Sequence, residues 1–233
     1  PRLVRAVEDQ AFYHFLTFLT SPAPHTLFKG IMKLPPGHRA LVNAEGEIKV
    51  EEYWDVFSSG QPDVTYSASE NAERVQAGLR ESVRLRMVSD VPFGVLLSGG
   101  IDSSTTMALM AEQMDRPVQT FSIGYRGAEV DEFNELHYAR QGAERFGSDH
   151  HEILIGHEDL INFLPDMIYH QDEPIADPVC VPVHFVCKLA KENGTTVVQV
   201  GEGSDELFGG YSHWLAALRL REGAWPAFGL LPS

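Results

Sequence analysis

The chain has 233 residues, 43% of them hydrophobic, and a formal net charge of −15. That length buries a full core and leaves room for one domain plus an appendage. The acidic balance excludes a nucleic-acid backbone as the main partner, and no apolar run reaches the roughly eighteen residues of a membrane-spanning helix.

The first expected element is an apolar-aromatic helix over about 8–19, broken by Ser21-Pro22-Ala23-Pro24. Strand-like stretches follow over 39–42 and 48–50, joined by a tight turn near Glu45-Gly46. One hairpin and one helix do not make a stable domain, so residues 1–57 read as the end of another domain. Ser58-Ser59-Gly60-Gln61-Pro62 reads as a linker. Ser67-Ala68-Ser69-Glu70 then has the form of a capping box. The helix it opens carries Ala72, Val75, Leu79 and Val83 on one stripe. Beyond it, strands are expected over 91–97, 118–125, 151–155 and 195–200. Helices alternate with them over 103–115, 131–147, 159–170 and 181–193, the last stopped by Asn193-Gly194. This alternation implies an α/β fold, a parallel sheet flanked by helices with its site at the strands' carboxyl ends.

Two stretches carry the chemistry. Ser98-Gly99-Gly100-Ile101-Asp102-Ser103-Ser104 lies between an apolar run suited to a buried strand and a helix on which Met107, Leu109, Met110 and Met114 recur at roughly helical spacing. Its glycines allow close backbone approach, and Ser103 and Ser104 stand at a helix N-terminus, which attracts anions. Asp102 puts a carboxylate where phosphate charge would otherwise stand unopposed, and a bridging Mg²⁺ is the simplest reason for one. A glycine turn with a serine cap explains the same residues without a ligand. The second stretch, Gly201-Glu202-Gly203-Ser204-Asp205-Glu206-Leu207-Phe208-Gly209-Gly210-Tyr211, follows the expected strand 195–200 directly. Four glycines and three carboxylates in eleven residues make an expensive loop. Ligand contact and metal ligation justify it; a solvated acidic turn, or a helix N-cap at Asp205, is the bland alternative.

Together the two loops resemble the synthetase domain of the glutamine-dependent asparagine synthetases, a family of N-type ATP pyrophosphatases. The resemblance continues through Thr26-Leu27-Phe28-Lys29-Gly30-Ile31, Leu34-Pro35-Pro36-Gly37-His38, Tyr53-Trp54-Asp55, His150-His151-Glu152 and Asp172-Glu173-Pro174. It implies an adenine-nucleotide-hydrolase-like ATP pyrophosphatase fold over residues 58–233, truncated, preceded in 1–57 by a remnant of an α+β N-terminal nucleophile glutaminase domain. It further implies an ATP- and Mg²⁺-dependent ligase. The family adenylates the side-chain carboxylate of aspartate and transfers ammonia to it, from glutamine in the full-length enzyme, giving asparagine, AMP and pyrophosphate. By this resemblance Ser98, Gly99, Gly100, Ser103 and Ser104 cradle pyrophosphate, and Asp102 and Asp205 hold Mg²⁺. Leu97, Ile123, Val200 and Gly201 form the adenine pocket through main-chain groups, with Val200 standing where many relatives have serine. Glu202 corresponds to the glutamate that binds the intermediate and assists ammonia attack.

Departures from the pattern are also expected to matter. Position 1 is proline and no cysteine precedes Cys180, so the glutaminase nucleophile is absent; the family's distal lysine has no match, since Lys188 and Lys191 precede the second loop. The segment Asp172–Pro178 corresponds to the region lining the aspartate site, and Asp177 stands where some members carry arginine, which leaves the acceptor acid open. Glu132 and Asn134 serve equally as helix caps or ligands. His150 and His151 point to opposite faces of a strand, which favours a polar network over joint metal binding. Cys180 and Cys187 fit neither a zinc site nor a redox pair, read as small buried hydrophobes on one helix face, and suit a reducing cytoplasm. Partners are therefore small molecules, with a homodimer compatible with the sequence.

Three other readings compete. A β-lactam-forming relative would use the same adenylation on another carboxylate, but such enzymes favour tyrosine at the position of Glu202. A non-catalytic nucleotide-binding protein has no need of three carboxylates at Asp102, Glu202 and Asp205. A tRNA-modifying enzyme shares an SGG loop, yet the acidic charge and lack of paired catalytic cysteines oppose it.

Overall fold

The structure, a computed structural model, describes residues 5–56, 65–127 and 134–223. In chain order they form α1 (Asp9–Phe18), β1 (His38–Val42), β2 (Ile48–Glu52), α2 (Ala68–Arg86), β3 (Phe93–Leu96), α3 (Ile101–Ala111) and β4 (Gln119–Tyr125). These are followed by α4 (Leu136–Phe146), β5 (Asp149–Ile155), α5 (His157–Gln171), α6 (Cys180–Glu192), β6 (Val197–Gln199), α7 (Ser204–Phe208) and α8 (Ser212–Gly223). The expected linker 58–62 and Glu132 lie outside the described residues.

Contacts divide the chain into two units. The first comprises Pro1–Ala72 with Glu158–Val181. In it β1 pairs antiparallel with β2, Ala40 opposite Val50, around the turn at Gly46. Glu173 ties this unit's two chain segments together. Its carboxylate accepts the Leu27 N–H at 2.7 Å and pairs with Lys33 at 2.8 Å, while the Ala176 N–H reaches the Leu19 carbonyl at 3.0 Å. Burial pushes the Glu173 carboxyl up, but the bonds from Lys33 and Leu27 outweigh it and hold it below the usual carboxylate range.

The second unit, Glu73–His157 with Pro182–Ser233, holds a four-stranded sheet in the order β5-β4-β3-β6, all parallel. Parallel neighbours need crossovers, and α3 and α4 supply them in turn. Side chains alternate across β3, so successive residues feed different layers. Val95 and Leu97 pack with Val83, Met107, Met110, Val118, Ala139 and Ala143, while Leu96 joins Phe121, Val186 and Ala190. Burial on both faces explains why the run around β3 is almost wholly apolar.

The capping box forms as the sequence suggests: the Ser67 N–H donates to Glu70 Oε2 at 2.8 Å and the Glu70 N–H to Ser67 Oγ at 3.3 Å. The stripe behind it is corrected. Only Val83 of the four is buried, and Val75 and Leu79 remain 40% and 44% exposed, because only the C-terminal turns of α2 reach the core shared with α3. A second correction concerns 204–208, expected as loop and observed as the short helix α7 between Gly203 and Gly209, both at positive φ.

Candidate functional site

Both expected loops follow strands at the carboxyl end of the parallel sheet. The first opens α3, with Gly100 at the N-cap position, so Ser103 and Ser104 fall inside the first turn. Ser103 is buried and its hydroxyl is already engaged: the Ser98 N–H donates to it at 3.2 Å and Ser98 Oγ lies 2.9 Å away. Ser98 Oγ in turn accepts the Gly100 N–H at 3.2 Å. These bonds fix the loop's shape. The anion-binding capacity therefore resides in the first N–H groups of α3, which have no intrahelical partner.

The second loop leans on the first. A Cβ on Gly201 would fall 2.7 Å from the Asp102 carbonyl carbon and from the Ser103 nitrogen, so only glycine permits this approach. Ser204 Oγ donates a hydrogen bond to Asp102 Oδ2. Asp205 lies in the first turn of α7 and does not cap it; Gly203 holds that position.

A cavity of about 780 Å³ opens between α2, α3 and the second loop. Ser98, Gly100, Asp102, Val200, Gly201, Glu202 and Asp205 line it, which gathers seven of the expected site residues. Leu97, Gly99, Ser103, Ser104 and Ile123 are not on its wall. Leu97 is 1% exposed and packed in the core, and Ile123 lies against the Phe121 cluster. The cavity also gathers residues the sequence reading missed, among them Arg86, Gln199, Ser204, Glu206 and Tyr211. Arg86 was legible in principle, since it stands one helical turn beyond Val83 and two beyond Leu79 on the same stripe.

The electrostatics of this wall are acidic. Tyr211 donates to Glu206 at 2.7 Å. That bond, with the nearby charges of Glu206, Asp205 and Glu202, pushes the tyrosine hydroxyl up to about 12. The Tyr211 hydroxyl holds Glu206 below the ordinary carboxylate range. Among the described residues no cluster of three His, Cys, Asp or Glu side chains could hold a metal alone. Two carboxylates on one cavity wall nonetheless fit Mg²⁺, which commonly takes one or two carboxylates and completes its shell with phosphates and water. Asp102, Glu202, Asp205 and Glu206 are the carboxylates on this wall.

The remaining candidates have other roles. His150 bonds Thr120 Oγ1 at 2.8 Å and Glu152 at 3.0 Å, while His151 stacks on Phe121 with ring centroids 5.4 Å apart. They serve separate environments, as opposite faces of β5 require. Asn134 is not a cap: α4 begins after Glu135, and Asn134 Oδ1 is buried without a partner. Asp177, within the first unit, accepts the Val179 N–H at 2.9 Å. Cys180 and Cys187 are free and half-buried, which corrects the expectation of full burial; burial pushes the Cys187 thiol up.

A parallel sheet with a serine-glycine loop opening a helix, beside a glycine-rich acidic loop, defines an α/β domain whose candidate site lies at the strands' carboxyl ends. A profile described as asparagine synthase matches residues 74–232, and the chain belongs to that family. It is 34% identical over 215 residues to the glutamine-hydrolysing asparagine synthetase 1 of Bacillus subtilis, covering 92% of this chain and 33% of that one. It is 29% identical over 198 residues to asparagine synthetase 3 of the same organism, covering 79% and 31%. The chain thus spans about a third of the length of these relatives. Among solved structures it is similar to the U34-tRNA thiolase NcsA of Methanococcus maripaludis, with a TM-score of 0.41 and 16% identity over 69% of this chain and 61% of that one.

Proposed function

We propose that this chain carries the nucleotide-activating site of an ATP-dependent amide-forming ligase whose acceptor is aspartate. The observation that supports this most is the meeting of Asp102, Glu202 and Asp205 with the start of α3 around one cavity. In this reading the first N–H groups of α3 hold the departing pyrophosphate. Asp102 and Asp205 hold Mg²⁺, which when bound neutralises phosphate charge. Ser204 orients Asp102 through its hydrogen bond. An acceptor carboxylate oxygen attacks the α-phosphorus and pyrophosphate leaves; ammonia then attacks the acyl carbon and AMP leaves. Glu202 takes the proton the nitrogen must lose. Catalysis is then largely positioning and charge neutralisation.

The resemblance of residues 1–57 to the end of a glutaminase domain, with 58–233 as part of the synthetase domain, supports glutamine as the nitrogen source of the whole protein. Cytoplasmic biosynthesis accords with that chemistry. The test is pyrophosphate release by the whole protein that carries this chain, with Mg·ATP and a panel of small carboxylic acids, comparing the unsubstituted protein with Glu202→Ala. Release that requires aspartate, yields asparagine with ammonia and falls in the variant supports the reading. Release driven by a different acid replaces the acceptor, and silence across the panel overturns the ligase.

A further inference from the structure

Among the described residues the cavity wall carries one cation. Arg86, in the last turn of α2, is the only lysine or arginine among the described lining residues, which also include Asp102, Glu202, Asp205 and Glu206. Its neighbours on the helix are engaged elsewhere, Arg80 with Glu112 at 3.1 Å and Arg84 with Glu81 at 2.6 Å. Arg86 forms no ion pair among the described residues. Its Nη1 instead donates to the Ser82 carbonyl at 3.1 Å and to Ser82 Oγ at 2.6 Å. Those bonds hold the guanidinium over its own helix and leave its other N–H donors uncommitted.

A second observation on the same wall also points to an oxygen-bearing ligand. Gln199 is 8% exposed, lines the cavity, and its amide Nε2 has no hydrogen-bond partner. A buried amide donor is costly to leave unmatched, and a ligand oxygen reaching this wall would satisfy it. The phosphates have donors of their own at the start of α3, and Mg²⁺ has the two aspartates. A second anion entering beside them would meet carboxylates, with Arg86 as its sole counter-charge.

We propose that Arg86 holds a carboxylate of the acceptor acid, with Gln199 as a neutral donor beside it, so that Arg86 is a specificity-determining residue for acidic acceptors. This rests on the ligase reading above. A guanidinium suits the task because its planar fork matches two carboxylate oxygens, a geometry an ammonium does not reproduce.

The experiment measures equilibrium binding of L-aspartate and, separately, of Mg·ATP to the unsubstituted chain, to Arg86→Gln and to Arg86→Lys. Arg86 is exposed, and circular dichroism verifies that each variant is folded. The expected result is aspartate binding weakened about tenfold or more in Arg86→Gln, partly restored in Arg86→Lys, with Mg·ATP affinity within about twofold of the parent. Unchanged aspartate binding in Arg86→Gln overturns the proposal, as does the lack of saturable aspartate binding by the parent chain. A loss confined to Mg·ATP also overturns it and assigns Arg86 to the phosphates. Pyrophosphate release is scored independently. Silence there with Arg86-dependent aspartate binding intact removes the ligase reading and leaves the acid site standing.

Discussion

The Ser204 hydroxyl donates a hydrogen bond to the carboxylate of Asp102, 102 positions away in the chain. The bond joins the start of α3, which follows β3, to the start of α7, which follows β6, and β3 and β6 are hydrogen-bonded neighbours in the sheet. Ser204→Ala removes the donor while leaving Asp102 free to reorient. We expect a stability loss of about 1 kcal/mol, the usual net value of such a bond, together with a several-fold weaker response to Mg·ATP. Thermal denaturation with and without Mg·ATP reads both, and an unchanged Mg·ATP shift would detach Ser204 from the site.

Gly201 is the tightest point between the same loops. An alanine there places its methyl within 2.7 Å of the α3 backbone, where no flexible side chain can give way. Overpacking of this kind costs about 1–3 kcal/mol, and the displaced loop should also lose nucleotide affinity. Denaturant titration of Gly201→Ala, with Mg·ATP binding on the folded fraction, checks the expectation.

Glu202 lines the cavity but is exposed and makes no contact the core depends on. Glu202→Gln should therefore fold with a thermal midpoint close to the parent. Loss of a positioned proton acceptor slows turnover by about 10²-fold or more, so acid-dependent pyrophosphate release should fall by that order with Mg·ATP binding retained. Full activity in this variant would remove Glu202 from the proposed chemistry.

Glu152 accepts two hydrogen bonds from Arg140, at 2.8 and 2.6 Å, and one from His150. The Arg140 guanidinium foremost, and then His150, hold its carboxyl below the ordinary value of 4.5 against the opposing effect of burial. A depressed folded value means stability that is present above about pH 4.5 and lost as pH falls through the lower folded value. Glu152→Gln should lower the thermal midpoint near neutrality and flatten its decline in that acid window. Parallel acid profiles for variant and parent would exclude the network as a source of pH dependence.

Tyr211 should ionise well above the ordinary tyrosine range. Its hydroxyl, bonded to Glu206 and surrounded by carboxylates, is pushed up to about 12 from the ordinary 10.0. A raised folded value on this group favours the neutral form, so its contribution is complete below about pH 10 and is lost as pH rises toward 12. Ultraviolet titration should show a late phase that disappears in Tyr211→Phe.

How much of this was legible in the chain varies with the range of the interaction that decides it. The capping box at Ser67 and Glu70 is local, and three residues suffice to specify it. The alternation of apolar runs with amphipathic stretches foretold the parallel sheet, because burial on both faces removes polar positions from a strand. The helix α7 escaped notice because its glycine-rich frame reads as loop, and only Gly203 and Gly209 at positive φ reveal that they bound a helical turn. The Ser98–Ser103 clamp escaped for a different reason: a serine's type does not show whether its hydroxyl is free or already bonded.

The residue order of the two loops pointed to the family, since glycine, serine and carboxylate positions within each loop are set by covalent spacing. Which of those residues share a wall was decided by the sheet. Pairing β3 with both β4 and β6 brings Asp102 to Ser204, seats Gly201 on the start of α3, and buries Leu97 away from the cavity. The same packing turned Arg86 from one of several helix arginines into the sole cation among the described residues of an acidic wall. Such contacts depend on distances between residues far apart in the chain, which local patterning does not encode.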